Sequence, residues 1–168
     1  ISFNFILRES QHFMLGFSFF QCYNVKIKMI KFPQGFLWGA ATSAHQVEGA
    51  NINSDWWQAE QAHCLKEASG QACRHYEFYA EDFSLAAKLH HNCHRFSIEW
   101  SRIEPQEGIF VVAEIQHYRN ILADLRHKGL EPVVTLHHFT SPAWFTQKGG
   151  WEKVSLRKYF LRFVDKIV

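Results

Sequence analysis

No run of five lysines or arginines occurs anywhere in this chain and its formal net charge is only +2, so it carries no electrostatic footprint for nucleic acid. A disulfide framework is also missing. The four cysteines, Cys22, Cys64, Cys73 and Cys93, show neither C-x-x-C spacing nor a regular pattern, which fits a reducing, cytoplasmic setting better than a secreted scaffold. The apolar patch from Phe13 to Phe20 falls well short of the roughly 18 residues that span a bilayer, so no membrane segment is expected. Arg8 and Glu9 make a poor n-region and no convincing small-residue cleavage site follows, which argues against a signal peptide. The chain opens at Ile1, and Met29 is the expected natural start. Residues 1–28 then read as an irregular or non-native extension and residues 29–168 as the structured domain.

What is abundant is apolar and aromatic. Apolar residues make up 47% of the chain and aromatics 16%, which excludes disorder and calls for a densely packed interior or a stacking surface. Three apolar, strand-like runs end in polar and aromatic residues and lead on to helical stretches: Phe36 to Gln46, His94 to Arg102 and Pro132 to His138. The first, Phe-Leu-Trp-Gly-Ala-Ala-Thr-Ser-Ala from Phe36, is rich in small residues and reads as a buried strand passing close to other backbone, with Gln46 and Glu48 at its exit. Asn51 to Ser54 is a turn-rich loop, and Asp55, Trp56 and Trp57 belong near the rim.

Tyr76, Tyr79, Phe83, Ala86 and Leu89 keep helical spacing and predict a helix over 75–89 with one buried face. In the stretch from His94 to Trp100, Phe96, Ile98 and Trp100 alternate with Arg95, Ser97 and Glu99. One half of that strand should face helices and the other something polar, so an inward Arg95 implies a buried negative partner. A second helix carries Ile115, Tyr118, Leu122 and Leu125, with Gly129 placed as the C′ residue that ends it. Strand 3 spans Pro132 to Leu136. After Ser141-Pro142 and Gly149-Gly150 a third helix holds Leu156, Phe160, Phe163, Val164 and Ile167. Crossovers of this length imply a parallel sheet. Three β/α units alone leave two open edges, whereas a full (β/α)8 barrel needs roughly 250 to over 400 residues. The expected fold class is therefore α/β, the first three β/α units of an incomplete (β/α)8 TIM barrel.

The segments from Phe32 to Gly49 (Phe-Pro-Gln-Gly-Phe-Leu-Trp-Gly-Ala-Ala-Thr-Ser-Ala-His-Gln-Val-Glu-Gly), from Arg95 to Pro105 (Arg-Phe-Ser-Ile-Glu-Trp-Ser-Arg-Ile-Glu-Pro) and from Thr135 to His138 (Thr-Leu-His-His) resemble, in order, the opening third of family 1 of the glycoside hydrolases, the β-glucosidase and β-galactosidase group. The resemblance covers about residues 30 to 168. It implies hydrolysis of β-linked sugars with retention of configuration, with no metal or organic cofactor. Such chemistry needs two carboxyl groups about 5 to 5.5 Å apart. In the family these lie in Asn-Glu-Pro and Glu-Asn-Gly motifs after strands 4 and 7, and neither motif occurs in this chain. The expectation is a chain that binds a β-glycoside or oligosaccharide, needs the remainder of the barrel for a complete site, and is inactive alone.

By the same resemblance Gln46 grips hydroxyls of the first sugar, which an amide suits because it both donates and accepts. His138 matches a histidine contacting that sugar, while strand alternation turns His137 the other way. Arg95 matches the arginine that holds the nucleophile ionised and oriented. The bland alternatives are a loop-capping Gln46, a core histidine at 138, and an ion pair of Arg95 with Glu99 or Glu104. Glu48, Glu99 and Glu104 read as structural. The chain departs from the family at Phe139, where Trp is common, at Arg74, where Asp is frequent, and at His90, which replaces a common Gly. Two rival readings remain. His90, His91, Cys93 and His94 mimic a metal cluster but point in different directions on a helix-to-strand segment. Trp56, Trp57, Trp144 and Trp151 suggest a non-catalytic carbohydrate-binding module.

Overall fold

A computed structural model describes residues 31–168. The extension 1–28, its apolar patch at 13–20, Cys22 and Met29 lie outside the described residues. Gly35–Val168 forms one unit, built on a parallel sheet of three strands in the order β1 (Gly39–Ala41), β2 (Cys93–Ser97) and β3 (Glu131–Thr135). Gly39 pairs with Cys93 and Ala41 with Arg95, while Arg95 and Ser97 pair with Val133 and Thr135. Paired residues share a face, so Arg95 and Ser97 lie opposite the face of His94 and Phe96.

Three helices follow the apolar periodicity. They are α3 (His75–Lys88), α5 (Val112–His127) and α7 (Arg157–Ile167). Shorter turns of helix occupy the strand exits: α1 (Ala44–Val47), α2 (Asp55–Gln61), α4 (Trp100–Ile103) and α6 (Ala143–Gln147). Gly129 takes φ +72° just past the α5 cap, the left-handed position a C′ glycine fills without Cβ strain.

The core lies between the helices and β2. Phe83 and Ala86 of α3, Phe96 and Ile98, Ile115, Tyr118, Ile121 and Leu125 of α5, and Phe145 and Phe163 close over one another. At its centre Trp100 is 1% exposed, with ring centroids at 4.9 Å from Phe145, 5.3 Å from Phe163 and 5.6 Å from Phe160. Burying side chains of this size contributes roughly 1.5–3 kcal/mol each.

Two sequence expectations need correction. The first strand is three residues long and exposed, not a buried run to Gln46: it is one edge of the sheet, and the core packs on the central strand β2 through Phe96. The second strand stops at Ser97, so its alternation does not reach Trp100. Glu99 caps α4 by accepting from the Ser101 backbone N–H at 3.3 Å, and the helical turn carries Trp100 into the core.

Candidate active site

The strand exits are held by buried polar ties, because a single helical turn is not stable by its own hydrogen bonds. The α1 turn is fixed by the Ala44 N–H donating to Ser97 Oγ at 2.7 Å and by Glu48 just beyond it. Glu48 accepts from Tyr118 Oη at 2.8 Å and Arg102 Nε at 2.8 Å. Burial pushes Glu48 up to about 7 against the pull of Arg102, and the pairing with Glu48 holds Arg102 above its ordinary value against its own burial. Glu104, fully buried, accepts from Trp100 Nε1 at 2.9 Å and from the Gly108 N–H at 2.7 Å, and it pairs with Arg162. Glu99, 1% exposed, accepts from Ser101 and Thr140. All three carboxylates are committed to scaffold contacts.

These ties shape a cleft of about 260 Å³ at the carboxyl ends of the strands. Ser43, His45 and Gln46 line it from the β1 exit, Trp56 from α2, and His138, Phe139 and Thr140 from the β3 exit. The carboxamide oxygen of Gln46 accepts from Ser43 Oγ, and its amide nitrogen bonds to no described residue. Neither ring nitrogen of His138 has a hydrogen-bond partner among the described residues, whereas His137 turns away to Ser141 Oγ at 3.2 Å and to the Trp151 ring at 4.9 Å. Burial pushes His137 below its usual value. Donors and acceptors therefore face the cleft at Gln46 and His138, and no carboxylate lines it among the described residues.

Arg95 is placed differently from the other two. It does not line the cleft. Its guanidinium donates to the Thr42 carbonyl at 2.7 Å, one residue before Ser43, and it has no carboxylate partner among the described residues. The structure thus forms no ion pair of Arg95 with Glu99 or Glu104, whose oxygens are occupied elsewhere.

Sequence reasoning placed Trp56 near the rim without the helix that carries it, and missed His45 and Thr140 as cleft residues. His45 Nε2 meets Glu60 Oε1 at 2.9 Å, and Glu60 in turn accepts from the Ser69 N–H and hydroxyl. The available signal was Ser54, whose Oγ accepts from the Trp57 N–H and starts the helix that carries Trp56. The four tryptophans do not share a face. Trp144 and Trp151 pack about Trp100, and of the four only Trp56 lines the cleft. In the histidine segment His94 turns to Phe83 and to Thr42 Oγ1, while Cys93 lies on the opposite face of β2. No group of three metal-binding side chains converges among the described residues. No helix among them is long and apolar enough to cross a membrane.

The same chain segments recur in known proteins. Beta-glucosidase 11 of Arabidopsis thaliana is 36% identical over 150 residues, which is 84% of this chain and 29% of that protein. Of solved structures, a beta-glycosidase from Pyrococcus horikoshii superposes with a TM-score of 0.79 at 47% identity, covering 82% of this chain and 32% of that one. A beta-glucosidase from Thermotoga maritima in complex with deoxynojirimycin superposes with a TM-score of 0.75 at 34% identity, covering 79% of this chain and 33% of that one. The chain thus spans about a third of the length of these relatives, and its three β/α units are that share of a TIM barrel. The model of the family described as glycosyl hydrolase family 1 matches residues 28–168, the whole of the described unit, and the chain belongs to that family.

Proposed function

We propose that this chain carries the sugar-recognising face of a retaining β-glycosidase that releases terminal β-linked glucose or galactose by double displacement, without metal or organic cofactor. One observation carries the reading: Gln46 and His138, from the exits of β1 and β3, line one cleft in which no described carboxylate stands. Gln46 and His138 present unspent donors and acceptors to sugar hydroxyls, and Trp56 offers an aromatic ring beside them. The proton donor and the nucleophile come from the remainder of the barrel. Glu48, Glu99 and Glu104 are buried in scaffold contacts and do not serve. Arg95, bonded to the Thr42 carbonyl, is the cation that orients and keeps ionised the incoming nucleophile. Residues 29–168 form the family portion, supported by the match that begins at residue 28, and residues 1–28 an extension. A cytoplasmic setting is proposed on the spacing of the four cysteines, which forms no C-x-x-C pair and no regular framework.

Two measurements on the purified 168-residue chain test this. An aryl β-glucoside should not be hydrolysed, and turnover abolished by replacing Glu48, Glu99 or Glu104 would overturn the assignment of those carboxylates. Titration with deoxynojirimycin should shift the His138 ring resonances and lose that response in Gln46→Ala.

A further inference from the structure

Phe139 combines two unfavourable features. Its backbone sits at φ +65°, a left-handed region unfavourable for a bulky residue, and the residue is 73% exposed at the cleft. The turn closes tightly: the Thr140 N–H donates to the His138 carbonyl at 2.8 Å, across the single residue Phe139. Such a turn persists only where its surroundings impose it.

The imposing contact is Thr140. It is buried, and its hydroxyl donates to Glu99 Oε2 at 2.9 Å. The other oxygen of Glu99 accepts from the Ser101 N–H at 3.3 Å and the Ser101 hydroxyl at 2.7 Å, capping α4. The Glu99 backbone N–H is fixed in turn by Tyr118 Oη at 3.0 Å. A shorter residue, Ser or Asp, would cap α4 as well or better. Burying a longer carboxylate there is costly, and what the extra methylene and second oxygen add is reach to Thr140.

We propose that Glu99, acting through Thr140, is a positioning residue that aims His138 and Phe139 into the cleft, so that the exit of β2 sets the geometry of the exit of β3. The functional part of this inference rests on the cleft being the glycoside site. The mechanical part does not.

The test uses four variants of the 168-residue chain followed by NMR. Thr140→Val removes the hydroxyl, and Thr140→Ser restores it. Glu99→Asp keeps the α4 cap but cannot span to Thr140, and it stands in for Thr140→Val should that variant fail to fold. Glu99→Asp and Thr140→Val should each displace the His138 ring resonances and the Phe139 amide coupling and raise exchange of the residue 140 amide at least tenfold. The amides of α4 should remain as in the parent. Thr140→Ser should match the parent, and the Glu99→Asp, Thr140→Val double variant should show no further change. Unmoved His138 and Phe139 signals in Glu99→Asp, or equal disruption by Thr140→Ser and Thr140→Val, overturns the proposal. Deoxynojirimycin titration of the same samples separates the two readings. A turn that responds in a chain that binds no sugar sinks the glycoside reading alone.

Discussion

Gly39→Ala should detach β1 from the sheet and blunt the cleft with it. A Cβ at residue 39 would stand 2.1 Å from the Cys93 carbonyl oxygen and 2.6 Å from its sulfur, where real Cβ contacts essentially never fall below 3.0 Å. The two backbones must therefore separate by about 1 Å, and a ladder bond of 2.9 Å stretched that far no longer counts as a hydrogen bond. Three bonds bracket the site: Thr42 N–H to the Arg95 carbonyl at 2.9 Å, and the N–H groups of Asn92 and Cys93 to the Trp38 carbonyl at 2.9 and 3.2 Å. At roughly 1 kcal/mol each, the local opening free energy should fall by about 2–3 kcal/mol. Hydrogen exchange reads this directly, as roughly 30- to 150-fold faster exchange at Thr42, Asn92 and Cys93 with the α5 amides unchanged. Because α1 begins three residues after Ala41, the Gln46 side-chain amide resonances should move in the same variant. Protection at those three amides within a factor of two of the parent would refute the close-approach argument, since no relaxation of an exposed side chain can relieve a clash with backbone.

Trp100→Phe removes a donor to the buried carboxylate of Glu104 as well as core volume and should cost about 2–4 kcal/mol, whereas Trp144→Phe loses a bond to the Glu104 carbonyl and should cost about half that. Urea denaturation of the two variants compares them, and equal losses would contradict the asymmetry. Glu48 is pushed up to about 7 by burial, so folding favours its protonated form: that contribution is fully present below about 4.5 and is lost as pH rises through 7. Glu48→Gln should therefore gain on the parent in urea midpoint as pH rises from about 4.5 to about 7 and hold that gain at higher pH, and a pH-independent difference would show that the carboxylate is not held protonated by the fold.

The limits of the sequence reading follow from what sequence pattern encodes. Apolar periodicity located α3, α5 and α7 because each buries one face, and Gly129 marked the end of α5 because only a glycine fits that backbone without strain. The same signal failed at the strand exits. Asp55–Gln61 buries no continuous apolar stripe, so its helix is announced only by the Ser54 cap, and Trp100 continues an alternating pattern by chance while the Glu99 cap turns the chain into a helix. His90 shows the opposite case. Its φ of +62° just past the cap of α3 explains why a glycine commonly stands there, a backbone demand that the residue type alone could not reveal. Gln46 and His138 were named from motif context, yet their meeting in one cleft depends on contacts between residues far apart in sequence. Thr140 to Glu99 spans 41 residues and Glu48 to Tyr118 spans 70. Cleft geometry here is set by hydrogen bonds among polar residues that carry no periodicity. The residues that aim the site are consequently the ones least visible in the chain that encodes it.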